Sequence, residues 1–171
     1  MPGLRRPTVW ALAAGVAFGL AGDTGLSVFG ATQKDVKMIT TRAKGEFEVK
    51  LVPQPSDDKS EGSPMGRMTI DKVFRGDLEG MSKGEMLTAT APTVKGSGVY
   101  VAVERVAGTL NGRKGTFALH HTGIMDRGTQ NLTVTVVPDS GTGGLAGMTG
   151  TMKIIIEGKR HFYEFDYSIE N

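Results

Sequence analysis

Glu104, His121 and Tyr100 are the residues best suited to act on a bound molecule: an acid, an imidazole and a phenol set in two apolar stretches, Ser97 to Leu110 and Arg113 to Gly123. A carboxyl and an imidazole in one apolar enclosure can move protons in a ligand, with a phenol as hydrogen-bond donor beside them. On that reading Glu104 and His121 are the acid and base and Tyr100 is the donor. The same three groups have a plainer use as a buried polar network that satisfies itself, because buried polar atoms nearly always find partners. Either use requires three side chains that point the same way.

Asn111-Gly112 is the element that would make them do so, since Asn-Gly between alternating apolar runs is the strongest short hairpin signal. A two-residue turn there sets Leu110 against Arg113. Counting outward, Val106 meets Phe117, Glu104 meets Leu119, Ala102 meets His121 and Tyr100 meets Gly123. Tyr100 and Glu104 are then diagonal neighbours of His121, with α-carbons about 7 to 8 Å apart, within reach of long side chains. Val99, Val101, Val103, Arg105, Ala118 and His120 take the opposite face.

The remaining strands follow from the same periodicity of two. Phe47, Val49 and Leu51 alternate with Glu46, Glu48 and Lys50 between Gly45 and Val52. Arg67 to Arg75 and Leu78 to Thr90 meet across Gly76-Asp77, but with Lys83 and Glu85 outward and Ser82, Gly84 and Met86 inward, a two-residue turn there brings Arg67, Thr69 and Asp71 inward, against the alternation of Met68, Ile70 and Phe74. A bulge or a longer turn must intervene, because one residue of slip inverts a face. Gln130 to Val137 is a sixth strand. Thr151 to Glu157 and Arg160 to Ile169 join at Gly158-Lys159, whose leading glycine suits a type II′ turn. That register pairs Glu157 with Arg160 and Lys153 with Glu164, and turns Met152, Ile154, Ile156, His161, Tyr163, Phe165 and Tyr167 inward.

Between strands six and seven, glycine recurs at 141, 143, 144, 147 and 150 around a single buried-type residue, Leu145. Such a loop is tightly folded backbone with Leu145 as its plug into a core. Eight consecutive strands without a convincing helix predict an all-β fold, an eight-stranded antiparallel up-and-down barrel closed by pairing the last strand with the first. Closure removes the exposed edges that invite aggregation. His161, Tyr163 and Tyr167, with Phe117 and Leu119, would line a small-molecule site in its lumen or simply fill its core.

The chain of 171 residues accommodates one such domain, residues 32–171, behind a leader. In residues 1–31, Arg5 and Arg6 precede a thirteen-residue apolar run from Val9 to Ala21, too short to cross a bilayer and suited to an export signal. An exported protein, periplasmic or extracellular, with no stable membrane span after signal removal is the expectation. Without the leader the 20 basic and 18 acidic residues fall to 18 and 17, which leaves no basic surface for nucleic acid. The absence of cysteine excludes disulfides and thiol chemistry. His121, His161 and Glu104 are suitable zinc or iron ligands, but the histidines lack H-x-H or H-x-x-x-H spacing, so no metal and no cofactor is assigned. Gly141 to Ala146 matches G-x-G-x-x-A without the helix that would hold a pyrophosphate, which rules out a dinucleotide site.

The runs G-x-F-E-V-K (Gly45 to Lys50), R-M-T-I-D-K-x-F-x-G-D-L (Arg67 to Leu78), Y-V-A-V-E-R-V-x-G-T-L-x-G-R-x-G-x-F (Tyr100 to Phe117) and V-V-P-D-S-G-T-G-x-L-x-G (Val136 to Gly147) resemble the bacterial family called domain of unknown function 3224. That family is similar in fold to the allene oxide cyclase barrel. Gly141 to Gly147 with Gly150 also resembles the glycine turn of cyclases and dirigent proteins. The resemblance implies a lipophilic small molecule inside the barrel, with cyclisation or coupling guided without a cofactor; it carries over no reacting residue. The expectation is therefore a lumen for a small apolar ligand, in a cofactor-independent cyclase or isomerase. The alternatives are a carrier, or a structural barrel that forms a homo-oligomer through Val99, Val101, Val103 and Phe162.

Overall fold

The computed structural model describes residues 40–56, 62 and 64–170; the expected export signal lies outside them. Eight antiparallel strands follow one another around a closed barrel. They are β1 (Thr41–Gln54), β2 (Met65–Gly76), β3 (Leu78–Thr90), β4 (Gly98–Leu110), β5 (Arg113–Asp126), β6 (Thr129–Val136), β7 (Met148–Glu157) and β8 (Arg160–Ile169). β8 closes on β1 from Thr41↔Tyr167 to Phe47↔His161. Each strand keeps one face dry and one wet: in β4, Ala102, Glu104 and Val106 are buried while Val101, Val103 and Arg105 are exposed.

The β4–β5 hairpin has the expected register, with Ala102 opposite His121 and Tyr100 opposite Gly123. Asn111 and Gly112 take φ of 46° and 79°, the left-handed pair that a type I′ turn demands. The β7–β8 register also agrees, with Glu157 opposite Arg160. The conflict between β2 and β3 is resolved by a longer connection: Phe74 pairs with Gly80 and Lys72 with Ser82. Gly76 turns the chain at φ 107°, and Asp77 is drawn across to β1, its N–H donating to the Lys44 carbonyl at 3.0 Å. That extra residue puts Met68, Ile70, Lys72 and Phe74 on one inward row.

The two ends of the barrel differ. At the end carrying the Asn111-Gly112 turn, Leu78, Leu110, Phe117, Leu119, Met148 and Phe165 form a packed core, with Phe117 stacked on Phe165 at 5.8 Å. The glycine loop closes this end. It runs along β5 where β6 has stopped, with Thr142 N–H donating to the Thr116 carbonyl at 2.8 Å and Ser140 Oγ accepting from Ala118 N–H at 3.0 Å. A single 3₁₀ turn, Gly143–Leu145, drives Leu145 into the core with no exposed surface. A Cβ on Gly141 would overlap the Leu145 carbonyl oxygen, so only glycine permits the approach.

At the other end the seams loosen. β6 and β7 share one pair, Thr135↔Thr151, and β1 runs from Val49 to Gln54 beside β2 alone, because its pairing with β8 stops at Phe47. β1 therefore extends through Pro53, beyond the expected end at Val52; a proline is tolerated near a strand end with a neighbour on one side only.

Leu145→Ala should lower the unfolding free energy by about 2–5 kcal/mol, the cost of a core leucine, in a denaturant titration. Gly112→Ala, which meets no atom within 4 Å, should cost only about 1–2 kcal/mol of left-handed strain. Gly141→Ala should destabilise more than Gly112→Ala, because its clash is with backbone.

Candidate functional site

Four consecutive strands each contribute one polar side chain to a cluster inside the barrel: Lys72 from β2, Ser82 from β3, Glu104 from β4 and His121 from β5. Lys72 and Ser82 are directly paired, and Glu104 and His121 are each one diagonal step further along. Glu104 has no exposed surface, and the other three are at most 5 % exposed. Its Oε1 accepts from Lys72 Nζ at 2.6 Å and from His121 Nε2 at 2.9 Å, while Oε2 accepts from Ser82 Oγ at 2.5 Å. Gly84, the partner of Glu104 on β3, lets the two strands approach closely here: a Cβ there would come within 2.6 Å of Glu104 Cβ and closer still to the Val103 carbonyl oxygen.

Burial is the largest influence on Glu104 and opposes its ionisation. The His121 hydrogen bond, the Lys72 charge and hydrogen bond, and the Ser82 hydroxyl together overcome it, and the carboxyl pKa falls from 4.5 to about 2. Glu104 is thus an anion at neutral pH and has no proton to give, which corrects its expected role as the acid. A carboxylate only accepts, so the proton of a neutral His121 lies on Nε2 and leaves Nδ1 with its lone pair. Glu104 orients the imidazole and neutralises the ammonium; Lys72 and His121 are the members of the cluster that reach the lumen.

That lumen is a cavity of about 380 Å³ at the looser end. Val49, Met68, Ile70, Met86, Leu132 and Ile154 supply apolar wall, with Lys72 and His121 toward the floor and Tyr100 and His161 on the sides. Lys72 Nζ lies 4.9 Å from the Phe47 ring centroid and 5.9 Å from that of Phe74, a cation–π setting that keeps the ammonium in place. Tyr100 occupies the space that the missing side chain of Gly123 leaves, and its hydroxyl has no hydrogen-bond partner among the described residues. Burial, then the Glu104 charge, raises the Tyr100 pKa, so the phenol keeps its proton.

The expected site residues divide accordingly. Glu104 and His121 are hydrogen-bonded, and Tyr100 shares their enclosure without bonding to either. His161 lines the cavity with its ring 5.3 Å from Phe47. Phe117, Leu119, Tyr163 and Tyr167 do not line it; they belong to the packed end. The Tyr163 hydroxyl accepts from Leu78 N–H at 2.8 Å, and Tyr167 accepts from the Asn111 side-chain amide at 3.0 Å, so both tyrosines hold turns. Burial, as the leading cause, raises the Tyr163 pKa. Among the described residues no three His, Asp or Glu side chains are grouped to hold a metal ion.

Lys72, like its partner Ser82, is a member that sequence reasoning missed. Its signal was present: it falls between Ile70 and Phe74 on a row of apolar residues, and Ser82, itself inward by alternation, sits opposite.

The sequence model of DUF3224, a protein family of unknown function, matches residues 43–167. A crystal structure of a DUF3224 protein of unknown function from Shewanella oneidensis MR-1 is 48% identical, with a TM-score of 0.74, and the match covers 78% of this chain and 99% of that one. None of the curated proteins matches.

Because the Glu104 pKa is depressed in the folded state, its contribution to stability is fully present above about pH 4.5 and is lost as the pH falls toward 2. About 3 kcal/mol of unfolding free energy should disappear across that window. Denaturant titrations should show this loss in the wild type and a much smaller one in Lys72→Met/Glu104→Gln, which removes both charges together. Lys72→Met alone should be the less stable variant, because it leaves a buried carboxylate without its cation.

Proposed function

This chain belongs to the DUF3224 family, and we propose that its barrel binds a small lipophilic molecule in the lumen. The observation that carries this is the cavity itself: apolar side chains from β1, β2, β3, β6 and β7 surround a space that the core does not fill, while the opposite end is packed tight. A barrel built only to assemble or to stand as a scaffold would be expected to pack both ends. Apolar walls with a few convergent polar groups are the usual character of a small-molecule site.

A cofactor-independent isomerase or cyclase is the second reading, favoured by His121. Its Nδ1 is left as a base by the Nε2–H bond to an ionised carboxylate, at the edge of an apolar cavity where a proton could be taken from a ligand and returned to it. Glu104 on this reading is a positioning residue and Tyr100 a donor to the ligand. Carriage without chemistry uses the same lumen. The short apolar run behind Arg5 and Arg6 supports an exported protein in either case.

Met86→Trp places an indole in the cavity from a half-buried wall position. Titration with the neutral fluorophore N-phenyl-1-naphthylamine should show binding to the wild type and at least tenfold weaker binding to Met86→Trp at an unchanged melting temperature. Equal binding to both would place the probe elsewhere and end the lumen reading. For the isomerase reading, deuterium uptake from heavy water into an enolisable apolar probe should be accelerated by the wild type. His121→Gln should reduce that acceleration by on the order of 10²-fold or more while probe affinity is kept; uptake that His121→Gln leaves unchanged would reduce the barrel to a carrier.

A further inference from the structure

The Lys72–Glu104 pair at the floor of the cavity is charged in its parts and neutral as a whole. Lys72 brings one positive charge and Glu104 one negative charge, 2.6 Å apart and both shielded from solvent. Glu104 is saturated, with donors on both oxygens. Lys72 is not: an ammonium has three N–H groups, and Nζ donates to Glu104 alone among the described residues, with the rings of Phe47 and Phe74 beside it. Lys72 and Phe47 both form cavity wall, so the unfilled donors belong to the lumen.

A head group that met this floor would need to accept hydrogen bonds, and a neutral one would fit best. A carboxylate or phosphate would place a second anion beside Glu104 with a single ammonium between them, and burying an uncompensated charge is costly. A carbonyl oxygen accepts from Lys72 without disturbing that balance, and a hydrogen bond from a charged donor is among the stronger kinds. The rest of the cavity, from Ile70 up to Met86, Leu132 and Ile154, offers apolar surface for a chain or ring.

We propose that the barrel's ligand is an uncharged amphiphile with a carbonyl at one end, a ketone, aldehyde or ester, seated with its oxygen on Lys72 at the cavity floor and its apolar body toward the mouth. This rests on the lumen reading and adds the ligand's chemical class to it. Lys72 is then a binding residue, held at the floor by Glu104 and by two aromatic rings.

The test uses 2-decanone labelled with carbon-13 at the carbonyl, with decanoate as its anionic counterpart, and calorimetry for affinity. The variant is Lys72→Met/Glu104→Gln, which removes both charges so that no buried carboxylate is left unpaired. Wild type should bind 2-decanone roughly tenfold or more tightly than the double variant, the size expected for a hydrogen bond to a charged donor. It should also bind the ketone more tightly than decanoate at pH 7. The bound carbonyl carbon should resonate downfield in the wild type relative to the double variant. Equal ketone affinity and an unshifted carbonyl in the two proteins would overturn the carbonyl assignment while leaving the lumen reading intact. Tighter binding of decanoate would overturn the neutral-head argument. Binding of neither probe nor N-phenyl-1-naphthylamine would overturn both readings together.

Discussion

A carboxylate without exposed surface inside an otherwise apolar barrel is the constraint around which this molecule is arranged. Glu104 is tolerable there only because donors on β2, β3 and β5 converge on it, and each donor requires its own strand to be in register with the next. A slip of one residue at any of the three intervening ladders would turn one donor to the outside and strand the charge. The cluster thus acts as a register lock across half of the barrel. Whether such a pair adds net stability is secondary to that, since buried ion pairs rarely outperform apolar packing; what it adds is intolerance of the wrong pairing.

The same cluster divides the barrel into two regimes. On one side lie stacked aromatics and the Leu145 plug, where the glycine loop takes over hydrogen bonds that β6 no longer supplies. On the other the wall seams open, methionines and aliphatics share the inward face with Tyr100 and His161, and a cavity remains. Packed aromatics at one end supply the stability that lets the other end stay hollow. The polar floor lies where these regimes meet, so the chemically capable groups are held by rigid packing below and face adaptable side chains above.

Glycine has a consistent part in this arrangement. Gly84 lets β3 approach β4 closely at Glu104, and Gly123 makes room for the Tyr100 ring. A strand glycine weakens a sheet when nothing occupies the space it leaves; here a large neighbour does, so the chain places bulky polar side chains inside a narrow barrel without widening it.

The sequence by itself determined the architecture and half of the site. Period-two alternation, the Asn111-Gly112 and Gly158-Lys159 turns and the cross-strand charges of β7 and β8 are local features, and local features set strand identity, hairpin register and the shared face of Glu104 and His121. Tertiary structure decided the rest. It set Lys72 opposite Ser82, because the β2–β3 connection carries an extra residue held by β1, a contact with a strand distant in sequence. It likewise sent Phe117, Leu119, Tyr163 and Tyr167 to the packed end and His161 to the cavity, although alternation turns all of them inward. Alternation tells which side of the wall a residue takes; its height along the axis, which separates core from cavity, depends on strand stagger and on where a loop plugs the barrel, and no single strand encodes either. The ionised state of Glu104 has the same origin, because it is a sum over donors from three other strands.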